Sequence, residues 1–451
     1  MIKKSRTLKA LLAYIVLGLV CRSPCFGFTA GDVEDVIAIP QNAFRLAGSD
    51  YDRSLISRQR ALEMMADFRN RFFRPWTIDR MAHSKDDALW PWRAWRGEPG
   101  WGENFRLRSV EWHEKLWDKA AMDNFGTLNR PAIAVTNTSM RCFPTQRPLF
   151  GNPLEAGEGY PFDRLQNSGL PVGTPLLVSH LSSDGAWAWV ESGCAGGWVP
   201  IGDIGFVDAK FTEQWMKTPL GCFTDDSVPA VDASGRFVAG GSIGIILPMP
   251  LPASFGMSVY ALVPARLPDG AADIVKARVS PEHFRLMPLA CTPWSIAALM
   301  NRMMGQAYGW GGMYGNRDCS ATVKDLFAPF GIWLPRHSAA QARAGRFISF
   351  ETMEPDEKLQ IILREGVPFL SLLRAPGHIM VYVGKWRGIP LVFHSTWGIG
   401  TVENGRPSRH VIGETVITTL EPGKNVPGAD PDRRTLLERL SGMTLLAEPR
   451  P

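Results

Sequence analysis

Between residues 131 and 265 the chain is written in short alternating runs, among them AIAVTNTSM, PLLVSHLS, WAWVES and GWVPIGDIGFV, broken at close spacing by Gly, Pro and Asp-Gly. Alternation at period two favours half-buried strands over helices. Strands this short bury their apolar faces by closing into a small barrel. Asp184-Gly185 is a hairpin turn signal between two of them. FVAGGSIGIILPMP and MSVYALVPARL repeat the style over residues 211–265, so a second barrel of similar size is expected.

The flanks read differently. Residues 32–128 are mainly helical, with an amphipathic helix predicted over 53–72 and stopped by Phe73-Arg74-Pro75-Trp76. Seven of the sixteen tryptophans lie between Trp76 and Trp117. They could form a sugar-stacking platform, but the reading adopted is that a small unit packs itself with large aromatic rings. After Glu282, helices are predicted over 293–305 and 319–327 and strands over 378–383, 391–394 and, as the final strand, 411–420; helices packed on an antiparallel sheet describe an α+β domain. The expected organisation is a leader over 1–27, a helical segment over 28–128, barrels over 129–210 and 211–280, and the α+β domain over 281–451.

Charge adds a compartment. The 451 residues carry a formal charge of +5, yet Lys3, Lys4, Arg6, Lys9 and Arg22 supply five positives before the first acid, Asp32. The remainder balances, which excludes a general nucleic-acid footprint. A basic start, the apolar run ALLAYIVLGLV over residues 10–20 and Cys25-Phe26-Gly27 read as a secretory signal cleaved after Gly27. The run is too short to span a bilayer. Acylation at Cys21 or Cys25 is disfavoured, because Leu19-Val20 lacks the small residue wanted before the cysteine. The expected location is the periplasm or cell envelope, with no membrane span in the mature chain, which is expected to be a monomer. Export leaves Cys142, Cys194, Cys222, Cys291 and Cys319, an odd number, so at least one thiol is expected to be free.

Cys319 follows the loop YGWGGMYGNRD and opens a predicted helix. The unpaired N–H groups of a helix's first turn favour negative charge, so a thiol there is expected to ionise more readily than a free one. His378 and His394 flank a turn near Trp386, and a hairpin would set them opposite each other on one face. A cysteine with two imidazoles suits nucleophilic catalysis: one ring takes the thiol proton and the other orients it. The same three residues could hold zinc, although no fourth ligand stands at short spacing.

The segment GQAYGWGGMYGNRDCSATVKDLFAPFGIWLPRHSAAQ, with PGHIMVYVG and FHSTWGI after it, resembles the NlpC/p60 family of cell-wall cysteine peptidases. The likeness spans about residues 290–420. Upstream, Arg141-Cys-Phe-Pro, Pro161-Phe-Asp, Asp184-Gly-x-Trp187 and Gly197-Trp198 resemble the first bacterial SH3-type barrel of multidomain exported members. The resemblance implies a papain-like domain preceded by two SH3-like barrels and a helical stabilising segment. It implies Cys319 as nucleophile, His378 as general base and then acid, and His394 as the residue that orients His378. The implied reaction is hydrolysis of the amide between γ-D-glutamate and a diamino acid, usually meso-diaminopimelate, in peptidoglycan stem peptides, with no metal or other cofactor. Asp318, Ser320 and Tyr308 match positions that contact the peptide in relatives, although Asp318 could simply cap the helix, Ser320 bond the backbone and Tyr308 pack. Arg336 is read as structural. Ala321 stands where many members have Gly, a change favourable to the helix by about 1 kcal/mol. Two other readings remain: an inert wall-binding protein, and an amidase or acyltransferase on the same fold. The barrels could bind wall polymer or wall off the groove.

Overall fold

The computed structural model describes residues 28–251, 259–424, 426–430 and 434–447; the basic leader lies outside them. After β1 (Phe28–Ala30) and short helical turns comes α1 (Arg58–Phe72). It starts later than its apolar pattern predicts because Ser57 caps it, accepting from the Arg60 N–H at 3.1 Å. The backbone just upstream is committed elsewhere: the Leu55 N–H donates to the Cys291 carbonyl at 2.7 Å. Phe68 on the buried face meets Trp333 edge-on at 5.3 Å. Most of the tryptophans near α2 (Val110–Ala120) pack, as the sequence suggests: Trp92 stacks on Trp117 at 4.5 Å, and Trp92, Trp95 and Trp112 cover Leu116, Cys142 and Phe143.

The first barrel holds β2 (Arg130–Ala134), β3 (Thr138–Arg141), β4 (Gln166–Leu170), β5 (Pro175–Leu181), β6 (Trp187–Glu191), β7 (Gly196–Pro200) and β8 (Ile204–Phe206), in the order β4-β3-β7-β6-β5-β2-β8. Asp184-Gly185 turns β5 into β6: the Asp184 carboxylate accepts from Ser182 Oγ at 2.6 Å and the Ala186 N–H at 3.1 Å, while Gly185 takes φ 68°. Helix α3 (Ala209–Lys217) leads to the second barrel. Its two sheets are β11-β10-β14-β13 and β12-β9-β15, built from β9 (Leu220–Phe223), β10 (Val228–Val231), β11 (Phe237–Gly241), β12 (Ile246–Pro248), β13 (Val259–Arg266), β14 (Ala272–Val279) and β15 (Phe284–Leu286). These units share cores. Phe68 and Phe73, Ile133 and Val172 of the first barrel, Trp215 of α3, Phe223 and Phe284 of the second barrel, and Ala328 beyond it form one buried cluster.

The last region places α4 (Pro293–Met303), α5 (Cys319–Phe327) and α6 (Pro355–Glu365) around a seven-stranded sheet, β1-β20-β19-β18-β17-β21-β16. Its strands are β16 (Arg346–Ser349), β17 (Ser371–Ala375), β18 (His378–Trp386), β19 (Ile389–Glu403), β20 (Arg406–Thr418) and β21 (Gly442–Leu445). Alternate residues of β18 serve opposite faces. Ile379, Val381 and Val383 join Ile296, Met300, Val323 and Leu326 of α4 and α5, whereas Met380 and Tyr382 join Ile362 of α6.

Two features depart from expectation. The sheet is not purely antiparallel, because β1 adds to β20 in parallel. The strand predicted over 411–420 is also not the last, since β21 returns to lie between β17 and β16.

The shared cluster predicts one cooperative unfolding transition. Phe68→Ala, at a site 3% exposed, is expected to cost about 3–5 kcal/mol and to lower the midpoint of that single transition in calorimetry; a separate early transition for one barrel would contradict it.

Candidate active site

The loop before Cys319 bends through four left-handed positions, Gly311, Gly312, Tyr314 and Gly315. Gly312 has a second constraint, because a Cβ there would lie 2.4 Å from the Gly169 nitrogen of β4. Only glycine lets the loop cross the first barrel this closely. Gln166 donates to the Gly311 carbonyl at 2.9 Å and Trp310 Nε1 to the Asp163 carbonyl at 3.0 Å, so the barrel and the loop are joined along their length.

Asp318 caps α5. Its Oδ1 accepts from the Ala321 N–H at 2.8 Å, Ser320 Oγ at 3.0 Å and Arg336 Nη1 at 3.0 Å; its Oδ2 accepts from the Gly311 N–H at 3.0 Å and Arg336 Nη2 at 2.6 Å. Burial pushes this carboxyl up, but the Arg336 charge and the bonds it receives outweigh burial and hold it below the usual range. Arg336 also donates to Ser320 Oγ at 2.7 Å and to Ser168 Oγ of β4 at 3.0 Å. The acceptor sites of Asp318 are filled.

Arg317, the residue before it, is held from the other barrel. Its guanidinium donates to both oxygens of Asp226 at 2.8 and 2.9 Å, to the Ile243 carbonyl at 2.7 Å, to Gln306 Oε1 at 2.7 Å and to Asp325 at 2.9 Å. Its own carbonyl accepts from Ser395 Oγ at 3.1 Å. Both barrels therefore brace the residues that lead into α5.

Cys319 is the first residue of α5, 8% exposed. Burial pushes its thiol up to about 12, and the Asp318 carboxylate adds to this; backbone N–H groups of Ile379 and Ser320 act the other way. The easier ionisation expected at a helix end is thus overridden by burial. Cys142, Cys222 and Cys291 are also pushed up to about 12 by burial, and all five cysteines outside the leader are unpaired.

His378 and His394 meet, although not by direct opposition. The register pairs Val381 with Phe393 and Tyr382 with Val392, so His378 stands diagonal to His394 on the same side of the sheet. His378 Nε2 lies 2.7 Å from His394 Nδ1, and His394 Nε2 lies 3.0 Å from Thr418 Oγ1. The Thr418 hydroxyl donates to the Thr419 carbonyl at 2.8 Å. A carbonyl can only accept, and this fixes every proton in the chain. Thr418 accepts from His394 Nε2–H, which leaves His394 Nδ1 to accept from His378 Nε2–H. His378 Nδ1 is then an unprotonated base, with no hydrogen-bond partner among the described residues.

Burial lowers both rings, His378 to about 4 and His394 well below its usual value; the Arg439 charge adds to the first shift, against a smaller effect of Asp318, and His378 adds to the second. Both imidazoles are therefore neutral near pH 7.

Tyr308 is half-buried beside Cys319 and Asp318, and burial first, then its interactions with these two groups, raise its phenol. Its ring approaches Trp397 at 5.9 Å. Phe162 of the first barrel meets Trp310 at 5.2 Å and Trp397 at 5.9 Å, both edge-on. Among the described residues no group of three or more His, Cys, Asp or Glu side chains is arranged to hold a metal, and no helix is long and apolar enough to cross a membrane. Sequence reasoning missed Thr418 and Arg317: one is an ordinary strand threonine, and the other's partner Asp226 lies far off in the second barrel.

The histidine shifts predict a pH dependence of stability. Unfolded, these rings take up protons near pH 6.5; folded, His378 does so only near 4. Between those values the unfolded chain binds more protons, so stability falls as pH drops through the window. A His378→Gln, His394→Gln double variant should lose less of its thermal midpoint than the parent between pH 7 and pH 4.5; equal losses would contradict the assignment.

The NlpC/P60 family model matches residues 305–402, the family's N-terminal stabilising domain matches 10–125, and SH3 domains of the SH3b1 and SH3b2 types match 148–200 and 208–249. An NlpC/P60 endopeptidase from Photobacterium damselae subsp. piscicida is similar in structure at 25% sequence identity and a TM-score of 0.79, over 91% of this chain and 98% of that one. An NlpC/P60 family protein from Bacillus cereus ATCC 10987 aligns at 16% identity and a TM-score of 0.47, over 70% of this chain and 98% of that one. No curated protein sequence gives a significant match. With its leading segment, both barrels and its last region matched in this order, the chain belongs to the NlpC/P60 family.

Proposed function

We propose that this NlpC/P60 protein is an exported, monomeric cysteine endopeptidase that cleaves the amide between γ-D-glutamate and a diamino acid, usually meso-diaminopimelate, in peptidoglycan stem peptides. The observation that carries the reading is the directed relay from the Thr419 carbonyl through Thr418 and His394, which leaves His378 Nδ1 as a base next to Ile379, whose N–H reaches Cys319.

The chemistry follows from the burial of both partners. Neither a lone thiolate nor a lone imidazolium is favoured here, so proton transfer from Cys319 to His378 Nδ1 accompanies attack of the sulfur on the γ-amide carbonyl. The carbonyl oxygen gains the negative charge, and the unpaired N–H groups of the first turn of α5 are its stabilisers. His378 then gives its proton to the leaving amine of the diamino acid as the C–N bond breaks, leaving a thioester. Water, deprotonated by His378, hydrolyses that thioester and restores the thiol. Throughout, His394 stays neutral and holds His378 by its Nε2–H.

Asp318 and Ser320, expected at the substrate, are engaged with Arg336 and with each other, and we assign them to fixing the start of α5. Of the three we assign the peptide contact to Tyr308, a reading supported by its electrostatic coupling to Cys319. The loop bearing Phe162 makes the first barrel a wall of the groove.

Incubation with a tripeptide stem of L-alanine, γ-D-glutamate and meso-diaminopimelate, read by mass spectrometry, should release free diaminopimelate. Cys319→Ala should lower kcat by about 10⁴-fold or more, His394→Ala by about 10²-fold and Thr418→Val by about tenfold, since these two act by orienting the base. Cleavage at another bond, acyl transfer without hydrolysis, or a fully active Cys319→Ala would contradict the reading.

A further inference from the structure

A cavity of ≈ 540 Å³ lies between the segment bearing Phe105, the first barrel and the turn that precedes Cys319, which it reaches through Met313 and Tyr314. Two of its lining residues are conformational outliers of the same kind. Phe105 has φ 58° and Tyr314 φ 59°, in the left-handed region that bulky side chains avoid. Their neighbours Gly311, Gly312 and Gly315 show what such positions ordinarily hold. Neither ring gains core burial in return, since Phe105 is 72% and Tyr314 75% exposed. Strain retained without burial points to a ligand that uses the rings.

The charges say which ligand. Arg141 at the cavity floor is neutralised by Asp163 at 2.7 Å and further bonded to Gln166 at 2.8 Å and to the Thr145 and Arg147 carbonyls. Glu103 is paired with both Arg108 and Arg147. An ionic end of a peptide finds no unpaired partner there. What remains available are aromatic faces, the Gln146 amide, which has no hydrogen-bond partner among the described residues, and the remaining hydrogen-bonding positions of the Tyr160 and Tyr314 hydroxyls, which bond each other. Flat apolar faces edged by neutral donors and acceptors fit a pyranose ring with an acetamido group, and the volume lies within the range of small-molecule sites.

We propose that this cavity binds a neutral N-acetylhexosamine of the glycan that carries the stem peptide, so that stems still attached to glycan are the preferred substrates. The proposal rests on the peptidase reading for its substrate, but the site is testable without catalysis.

Full-length Cys319→Ala protein titrated with N,N′-diacetylchitobiose in a calorimeter should show saturable binding. Phe105→Gly and Tyr314→Gly in that background should each weaken it by about fivefold while raising or leaving unchanged the thermal midpoint, because glycine relieves the strain. No binding, binding indifferent to both substitutions, or a lowered midpoint alongside weaker binding would overturn the proposal. In turnover, the parent protein should show a KM about fivefold lower for the disaccharide tripeptide than for the free tripeptide, with the gap closed by Phe105→Gly. Sugar binding without cleavage of either substrate would sink the peptidase reading and leave the site standing. Cleavage of both with equal KM and no sugar binding would do the reverse.

Discussion

The ion pair between Asp318 and Arg336 is the joint on which the site depends. It is buried and bidentate, and between them its two partners touch the glycine loop, the first turn of α5 and the first barrel. Removing one partner would strand a buried charge at a cost of about 3–5 kcal/mol, and the position of Cys319 would go with it. Arg317 repeats the arrangement one residue earlier, toward the second barrel. The barrels therefore brace the segment that positions Cys319, and the cores of the units run into one another.

Burial sets the chemical character of that site. Cys319 and His378 are both held neutral, so the proposed reaction would start from thiol and imidazole, with charge developing only as the carbonyl is attacked. The relay behind His378 matters for this reason. A neutral imidazole is a base at one nitrogen only, and the Thr419 carbonyl, three hydrogen bonds away, decides which. In the proposed mechanism the helix terminus would offer its unpaired N–H groups to the developing oxyanion rather than to the buried resting thiol.

Much of this was legible in the chain. Period-two runs gave both barrels, Asp184-Gly185 gave its turn, and the helix opening at Cys319 and the pairing of His378 with His394 followed from local pattern. The misses have physical causes. The two histidines meet diagonally because a β-bulge near Gly384 and the hairpin register are set by contacts no short motif encodes. Four residues, Gly442–Leu445, form a strand one place in from the sheet edge, between β17 and β16, with too little alternation to announce it. The thiol's ionisation went the other way because a helix end is visible in sequence and burial by distant strands is not. Arg336 reads as structural in the sequence, but its partner Ser168 sits in the first barrel, so its bridging contacts emerge only in three dimensions.

The central claim is that the relay leaves the Nδ1 of a neutral His378 as the base. Nitrogen-15 NMR of the imidazole rings near neutral pH tests it directly. The account predicts that both His378 and His394 are neutral with the proton on Nε2, and that Thr418→Val disturbs the tautomer of His394 and, through it, of His378. A resting imidazolium at His378, or a proton on its Nδ1, would contradict it.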